Sequence, residues 1–270
     1  MGLYEKEGAY GAVMDSLDNL LKKCPELKEK AGKKLEELVK ELSLEANVDT
    51  VKEVASPVDP IEKIKKGFQD FKAYFKTEQK LFKALAESQH PKWMIIACSD
   101  SRVDPALVLG LELGDAFILR NISSLVPPYS KQRGHASAGS AIEYAVLHLK
   151  VEHIMIIGHS RCGGIKALLG MNEDGSNRFS EYIEDWVEVA QPATKIAKAK
   201  CAHNSSFEEQ WTCCVKESVN VSLWNCMTYP FVRVAVEQGS LTLHGAYFDF
   251  VNGAFDRWGL QCSVEEPQPL

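Results

Sequence analysis

The 270-residue sequence predicts an α/β fold with an open, mostly parallel central sheet flanked by helices, together with an N-terminal helical arm. The first observation behind this prediction is a set of three short apolar runs, rich in isoleucine, that begin after residue 90. Such runs are typical of buried parallel strands. The second observation is a helical stretch that leads directly into the third run, an alternation that favours right-handed crossovers. We place the arm at residues 1–58 and the main domain at residues 59–270.

The N-terminal arm is rich in Lys, Glu, Leu and Ala at helical spacing, which predicts two amphipathic helices broken at Pro25. We interpret it as a surface extension or as a segment that packs on another subunit. A turn follows at residues 56–60, and Asp59-Pro60 starts a further helix through residues 61–89.

The main domain combines the apolar runs with further helices. Three predicted strands share this short, isoleucine-rich character: residues 92–97, 116–120 and 153–158. A predicted helix covers residues 138–150 and leads into the third strand. A longer helical region extends from about residue 179 to residue 238, with an interruption near Pro230. The segment SLTLHGAYFDF then predicts a late strand or hairpin.

Charge and composition exclude several classes of function. A net charge of -6 argues against a nucleic-acid partner, which would require a basic patch. No apolar stretch reaches the ~18 residues of a membrane span, so we expect no membrane partner. The first residues lack the features of a secretory signal, which predicts a cytoplasmic location and reduced or metal-bound cysteines. The chloroplast stroma is the alternative if a transit peptide has been removed before Met1.

Cysteine and histidine residues follow two of the predicted strands. Cys98 comes directly after the first strand, whereas His159 and Cys162 follow the third. Ligands of open α/β sheets bind outside the carboxyl ends of the strands, so these side chains converge if the two strands are neighbours. Two sulfurs and one nitrogen suit zinc and leave a fourth position for water, as in catalytic zinc sites. Gly163 and Gly164 let the backbone pass close to the metal and leave N–H groups for an anion.

Other interpretations of the segment GHSRCGG fit less well. Taken singly, Cys98 could be a small buried apolar residue and His159 a hydrogen-bonded structural histidine. A serine-hydrolase elbow would use Gly158 and Ser160, but Cys162 stands where the motif needs glycine. The Lys-Ser/Thr pair of a Walker phosphate loop and the G-x-G-x-x-G dinucleotide motif are both missing from the sequence. Zinc is therefore the better interpretation.

Two segments together, ACSDSRVDP (97–105) and GHSRCGGI (158–165), resemble the paired signature of the β-class carbonic anhydrases. The similarity extends from about residue 60 to residue 260, and GDAFILRNISSLVPPY and ESVNVSLWNCMTYPFVR resemble the plant-type branch in particular. The resemblance implies a zinc lyase with one Zn²⁺ per chain in a catalytic domain at residues 59–270. Its reaction would be the reversible hydration of carbon dioxide to bicarbonate and a proton, by attack of zinc-bound hydroxide on CO2.

The resemblance also implies roles for individual residues. The zinc ligands would be Cys98, His159 and Cys162. Asp100 and Arg102 would form a catalytic dyad, in which the arginine holds the carboxylate away from the metal through a bidentate pair. The substrate-binding set would contain a glutamine that orients CO2 and bicarbonate, three apolar or aromatic pocket residues, and a glycine beside the metal: Gln89, Phe117, Ile122, Tyr144 and Gly163.

Two alternatives remain open at this point, along with the assembly of the protein. The same zinc scaffold could hydrolyse a CO2 analogue such as carbonyl sulfide. It could also be a non-catalytic zinc-binding module in which Asp100 fills the fourth coordination position.

Gln89 ends a predicted helix well before the metal-bearing strands, so we expect it at a neighbouring subunit's zinc. The resemblance implies paired sites at a dimer interface, so we expect a homodimer or a higher homo-oligomer.

Overall fold

The computed structural model describes residues 59–130, 136–172, 180–201 and 205–261. The chain divides into two compact units, Met1–Thr77 and Glu78–Leu270. Within the first unit the described structure is helix α1 (Pro60–Thr77). The predicted arm at residues 1–58, with its two helices, lies outside the described residues and stays a prediction.

The prediction of one helix over residues 61–89 was wrong, because this segment forms α1 and a separate helix α2 (Gln79–Glu87). The break is at Glu78, whose φ of -100° and ψ of 32° are not helical. Just before it, the Thr77 hydroxyl donates to the carbonyl oxygens of Ala73 (3.0 Å) and Tyr74 (3.1 Å). Such back-bonding competes with the helical ladder and bends helices, an effect that apolar spacing does not reveal.

The second unit is built on a five-stranded sheet. Its strands are, in chain order, β1 (Trp93–Cys98), β2 (Ala116–Asn121), β3 (His153–His159), β4 (Thr242–Asp249) and β5 (Ala254–Gly259). Within the sheet they lie in the order β2-β1-β3-β4-β5. β1 pairs in parallel with β2 and β3, and β3 pairs in parallel with β4, whereas β5 runs antiparallel to β4. The mostly parallel sheet is therefore confirmed, and the late segment forms a hairpin.

Helices connect the strands. In chain order the described ones are α3 (Pro105–Leu109), α4 (Ala136–Glu143), α5 (Gly163–Gly170), α6 (Tyr182–Val187), α7 (Gln191–Lys200), α8 (Phe207–Met227) and α9 (Pro230–Glu237). The helix predicted over residues 138–150 starts as α4 and ends as a π-helix, Tyr144–Leu149. Short 3-10 turns occur at Ile122–Ser124 and Glu188–Ala190. None of the described helices has both the length and the apolar character of a membrane span.

The central strands β1 and β3 are apolar on both faces, and this burial makes them a firm support for the residues at their ends. One face packs against the long helix α8, where Val219 and Leu223 share a buried cluster with Ile96 and Ile156. A separate buried cluster at the carboxyl ends of the strands contains Cys98 and Cys162, with Leu125, Ile165 and Trp211 among its members.

Candidate metal centre

Three buried side chains, those of Cys98, His159 and Cys162, meet at the carboxyl ends of β1 and β3. Their ligand atoms all lie within 4.8 Å of one another. Cys98 is the last residue of β1 and His159 the last of β3, and these strands are parallel neighbours. The structure thus brings together the three residues that the sequence analysis selected as zinc ligands.

The His159 imidazole offers one ring nitrogen to a ligand. Its Nδ1 lies 2.9 Å from the carbonyl oxygen of Ser160, which can only accept, so we assign the ring proton to Nδ1. Nε2 then carries a lone pair, is buried, and has no hydrogen-bond partner among the described residues. A buried polar atom without a partner is costly, and a hydrogen bond at the other nitrogen is how proteins orient metal-binding histidines. Nε2 therefore fits a metal ion.

The two cysteine sulfurs interact with each other. The side-chain hydrogen bond from Cys162 lowers the pKa of Cys98, whereas the same pairing, together with burial, raises the pKa of Cys162. Cys98 is therefore the stronger acid of the two. A divalent cation favours the thiolate form of both, because sulfur ligands are deprotonated. Two thiolates and an imidazole form a donor set that suits zinc.

The turn after β2 contacts both sulfurs through Ser123. Its backbone N–H donates to Cys98 Sγ (3.3 Å), and its hydroxyl oxygen lies 3.4 Å from Cys162 Sγ. Ser123 is buried and has a φ of 63°, a left-handed conformation that residues other than glycine rarely adopt. The sequence analysis did not identify this residue, whose only signal is its position after a strand that neighbours β1.

The carboxylate of Asp100 is held by Arg102 through both of its oxygens. Arg102 Nε donates to Oδ1 (2.9 Å), its terminal NH2 donates to Oδ2 (2.7 Å), and its backbone N–H also donates to Oδ1 (3.0 Å). The guanidinium holds the pKa of Asp100 well below its usual range, and the carboxylate raises the pKa of Arg102. Asp100 is therefore ionised at neutral pH.

A second arginine, Arg120 on β2, fixes the loop that carries this pair. Its Nε donates to the carbonyl oxygen of Cys98 (3.0 Å), and one terminal nitrogen donates to that of Asp100 (2.7 Å). The other terminal nitrogen donates to Asp104 (3.1 Å), whose carboxylate also caps α3. A single guanidinium thus ties β2 to the loop between a candidate ligand and the start of α3. The sequence analysis did not identify Arg120.

Comparison with known proteins identifies the family. A family model described as carbonic anhydrase matches residues 93–255. The chain is also 42% identical over 253 residues to beta carbonic anhydrase 3 of Arabidopsis thaliana, a match that covers 93% of this chain and 94% of the relative. The chain belongs to the β-carbonic anhydrase family.

Solved β-carbonic anhydrases share the fold. The β-carbonic anhydrase CcaA matches with a TM-score of 0.67 and 32% identity over 74% of this chain and 95% of that one. One of two tetrameric β-carbonic anhydrases from Sordaria macrospora matches with a TM-score of 0.66 and 27% identity over 74% and 98% of the two chains. β-Carbonic anhydrases are zinc enzymes that hydrate carbon dioxide, in agreement with the function and cofactor expected from the sequence.

Of the other residues implied by the family resemblance, Gly163 directly follows Cys162, and Ile122 precedes Ser123, which contacts both sulfurs. Ile122 directly follows β2, and its carbonyl oxygen accepts a hydrogen bond from Trp186 Nε1 (2.8 Å). The rings of Phe117 and Tyr144 pack on each other, with centroids 5.7 Å apart. Phe117 pairs with Met94 near the beginning of β1, so the two aromatic rings lie toward the opposite end of the sheet from the cluster.

Gln89 does not end a helix as predicted, because α2 ends at Glu87 and Gln89 lies exposed in the connection to β1. It precedes the amino end of β1, whereas Cys98 is at the carboxyl end. The five residue steps from Trp93 to Cys98 span about 16 Å at ~3.3 Å per residue. Within the described part of the chain, no hydrogen bond joins Gln89 to the cluster of its own subunit.

Ser160, the nucleophile of the serine-hydrolase interpretation, is buried in this β-carbonic anhydrase. Its Oγ accepts a hydrogen bond from the backbone N–H of Phe250 (3.1 Å). A serine nucleophile needs an accessible hydroxyl next to a general base. The environment of Ser160 therefore does not support the serine-hydrolase interpretation. Its side chain instead makes a structural contact with the backbone of Phe250.

The glycine pair at the start of α5 has two different environments. A methyl group on Gly164 would lie 2.1 Å from Ser123 Oγ and 2.9 Å from the Cγ2 atom of Ile122. A methyl group on Gly163 would meet no described atom within 4 Å. The close approach expected of both glycines is therefore required at Gly164, which lets α5 pack on the turn that contacts the two sulfurs.

We expect Gly164→Ala to weaken zinc binding by about tenfold to a hundredfold, the usual effect of disturbing a residue that orients metal ligands. The added methyl group forces Ser123 away from Cys98 and Cys162. Gly163→Ala is the matched control and keeps the wild-type affinity for zinc. Competition with a chromogenic chelator measures both variants, and equal affinities would contradict this role of Gly164.

Proposed function

We propose that this β-carbonic anhydrase catalyses the reversible hydration of CO2 with a zinc ion held by Cys98 Sγ, Cys162 Sγ and His159 Nε2. The observation that supports this assignment most is that His159, whose buried Nε2 atom has no partner among the described residues, has a ring nitrogen within 4.8 Å of two cysteine sulfurs. When bound, zinc lowers the pKa of a water molecule from ~15.7 toward ~7 and so supplies the nucleophile at neutral pH.

In this proposal Asp100 accepts a hydrogen bond from the attacking nucleophile and so orients its lone pair toward the carbon atom of CO2. The carboxylate is ionised because Arg102 lowers its pKa. Each of its oxygens already accepts from Arg102, yet retains acceptor capacity for a further donor. The bidentate pair also favours an enzyme over a non-catalytic zinc module, since it holds Asp100 on the arginine and away from the fourth coordination position.

We further propose a homodimer, or a higher homo-oligomer, in which each chain completes the site of its partner. Gln89, Phe117 and Tyr144 are the residues that would be contributed in this way, because the fold does not bring them to the cluster of their own chain. Phe117 lies on β2, an edge strand with a free side for a partner within the described sheet. The Sordaria macrospora relatives are described as tetrameric, which agrees with this proposal.

Hybrid assemblies test the shared site. Gln89→Ala chains and Cys98→Ser chains are each expected to be strongly impaired, and co-expression should restore about one active site in four in randomly mixed dimers. Restoration occurs because one site of each hybrid then contains both intact groups. A mixture of Cys98→Ser and Cys162→Ser chains is the control. Each chain then lacks one of its own zinc ligands, so no hybrid contains an intact site. Verified Gln89/Cys98 hybrids without recovered activity would rule out the shared site.

Stopped-flow measurement of CO2 hydration tests the proposed reaction, with zinc content determined on the same preparation. We expect catalysed hydration that a chelator abolishes. Carbonyl sulfide hydrolysis is measured in parallel. If that reaction is faster than CO2 hydration, carbonyl sulfide replaces CO2 as the proposed substrate. A fully zinc-loaded protein without hydration of CO2 would instead indicate a binding module.

A further inference from the structure

The phenyl ring of Phe250 covers the guanidinium of Arg102. The Cζ atom of Arg102 lies 4.6 Å from the ring centroid, a distance at which the ring face attracts a cation. The same ring lies 6.2 Å, centroid to centroid, from the imidazole of His159. Phe250 therefore contacts the arginine of the dyad and lies next to a candidate zinc ligand, although the family resemblance gave it no role.

Backbone contacts fix the position of this ring. Phe250 directly follows β4, and its N–H donates to Ser160 Oγ (3.1 Å). The Ser160 N–H donates in turn to the carbonyl oxygen of Phe248 (2.9 Å). The Asp249 carboxylate closes the following turn by accepting from the Val251 N–H (3.0 Å) and from the Asn252 side chain. The end of β4 is thus attached to the residue that follows His159, and the ring of Phe250 is held with it.

Arg102 needs such a contact because its side chain is about half exposed (49%). One terminal nitrogen of its guanidinium donates to Asp100, and the same nitrogen lies 3.3 Å from the carbonyl oxygen of Arg161. Arg161 has a φ of 53°, so the turn that carries His159 and Cys162 has a left-handed backbone conformation at this residue. Exposed ion pairs are weakened by solvent and by side-chain freedom, and stacking on an aromatic face limits the orientations of a planar guanidinium.

We propose that Phe250 is a positioning residue that holds the Arg102 guanidinium in the orientation that pairs with both oxygens of Asp100. The ring contacts the guanidinium, while Asp100 and Arg161 accept its hydrogen bonds. The consequence of this inference, which rests on the proposed function, is that Asp100 stays on Arg102 instead of becoming a zinc ligand. A phenylalanine at the end of β4 thereby supports the open coordination position.

Fluorinated phenylalanines at position 250 test the attraction between ring and cation with little change in ring size. Successive fluorine atoms remove negative potential from the ring face. We expect kcat/KM for CO2 hydration to fall stepwise, by about two- to fivefold across the mono-, di- and trifluoro series. A ring that only fills space would give no such trend, so constant rates across the series would overturn the proposal.

Crystal structures of zinc-loaded variants provide a readout that does not depend on activity. In Phe250→Leu we expect Arg102 to lose its two side-chain hydrogen bonds to Asp100, whereas Phe250→Trp, which keeps an aromatic face, retains them. Phe231→Leu is the matched control: Phe231 is half-buried on α9 in ring contact with Tyr229, and its loss leaves Arg102 in place.

An unchanged Arg102–Asp100 pair in zinc-loaded Phe250→Leu would also overturn the proposal. Failure of the proposed function has a different result, namely a zinc-loaded wild-type protein that does not hydrate CO2. In that case the crystal structures alone still decide whether Phe250 positions Arg102.

Discussion

Cys98→Ser, His159→Ala and Cys162→Ser are each expected to lose zinc and CO2 hydration together. Each change removes one of three protein donors from a buried cluster whose atoms lie within 4.8 Å of one another. The two donors left behind do not make the three-ligand set of a catalytic zinc site. Elemental analysis gives the zinc content per chain, and stopped-flow kinetics gives the hydration rate.

A buried cysteine outside the cluster provides the matched control. Cys226 on α8 is fully buried among apolar residues, and burial raises the pKa of its thiol to about 12. Cys226→Ser therefore introduces the same chemical change into an equally buried position and should keep one zinc per chain. A Cys162→Ser protein with an intact zinc stoichiometry would show that Cys162 is not a ligand.

Asp100→Asn and Arg102→Ala are expected to retain zinc and to lose about a hundredfold or more of the hydration rate, the usual scale for losing one positioned hydrogen-bonding group. The amide of Asp100→Asn lacks the charge of the carboxylate. In Arg102→Ala the carboxylate loses its two side-chain hydrogen bonds and is free to turn to the metal. Zinc content and stopped-flow rates are measured for both variants.

The double variant Asp100→Asn/Arg102→Ala separates the role of Asp100 from that of Arg102. If Arg102 acts through Asp100, the effect of Arg102→Ala should be much smaller in an Asp100→Asn background than alone, because no carboxylate is then left to ligate zinc. Arg102→Lys should rescue little, since an ammonium group cannot form the bidentate pair. Near-normal hydration by both single variants would contradict the mechanism whatever the fold.

The strands and the convergence of Cys98, His159 and Cys162 could be predicted because their signals are local. β1 and β3 are continuous apolar runs, and parallel strands necessarily place their carboxyl ends at one edge of the sheet. Cys98 and His159 are the last residues of these strands. Residue type and strand position were therefore sufficient to select them.

Contacts made between distant segments could not be predicted in this way. The role of Ser123 depends on a left-handed backbone conformation in the turn after β2, and that of Arg120 depends on the register between β2 and β1. Phe250 reaches Arg102 because the end of β4 is attached to Ser160. The break at Glu78 involves back-bonding by Thr77, which the apolar spacing of the sequence does not record.

Reconstitution with zinc tests the central claim most directly. The wild-type chain is stripped with a chelator and titrated with zinc, and CO2 hydration is measured after each addition alongside the Cys98→Ser chain. We predict that the wild-type rate rises in proportion to added zinc and stops rising at one zinc per chain, while Cys98→Ser neither binds zinc nor recovers. A stripped wild-type protein that still hydrates CO2, or a Cys98→Ser chain that recovers like wild type, would contradict the account.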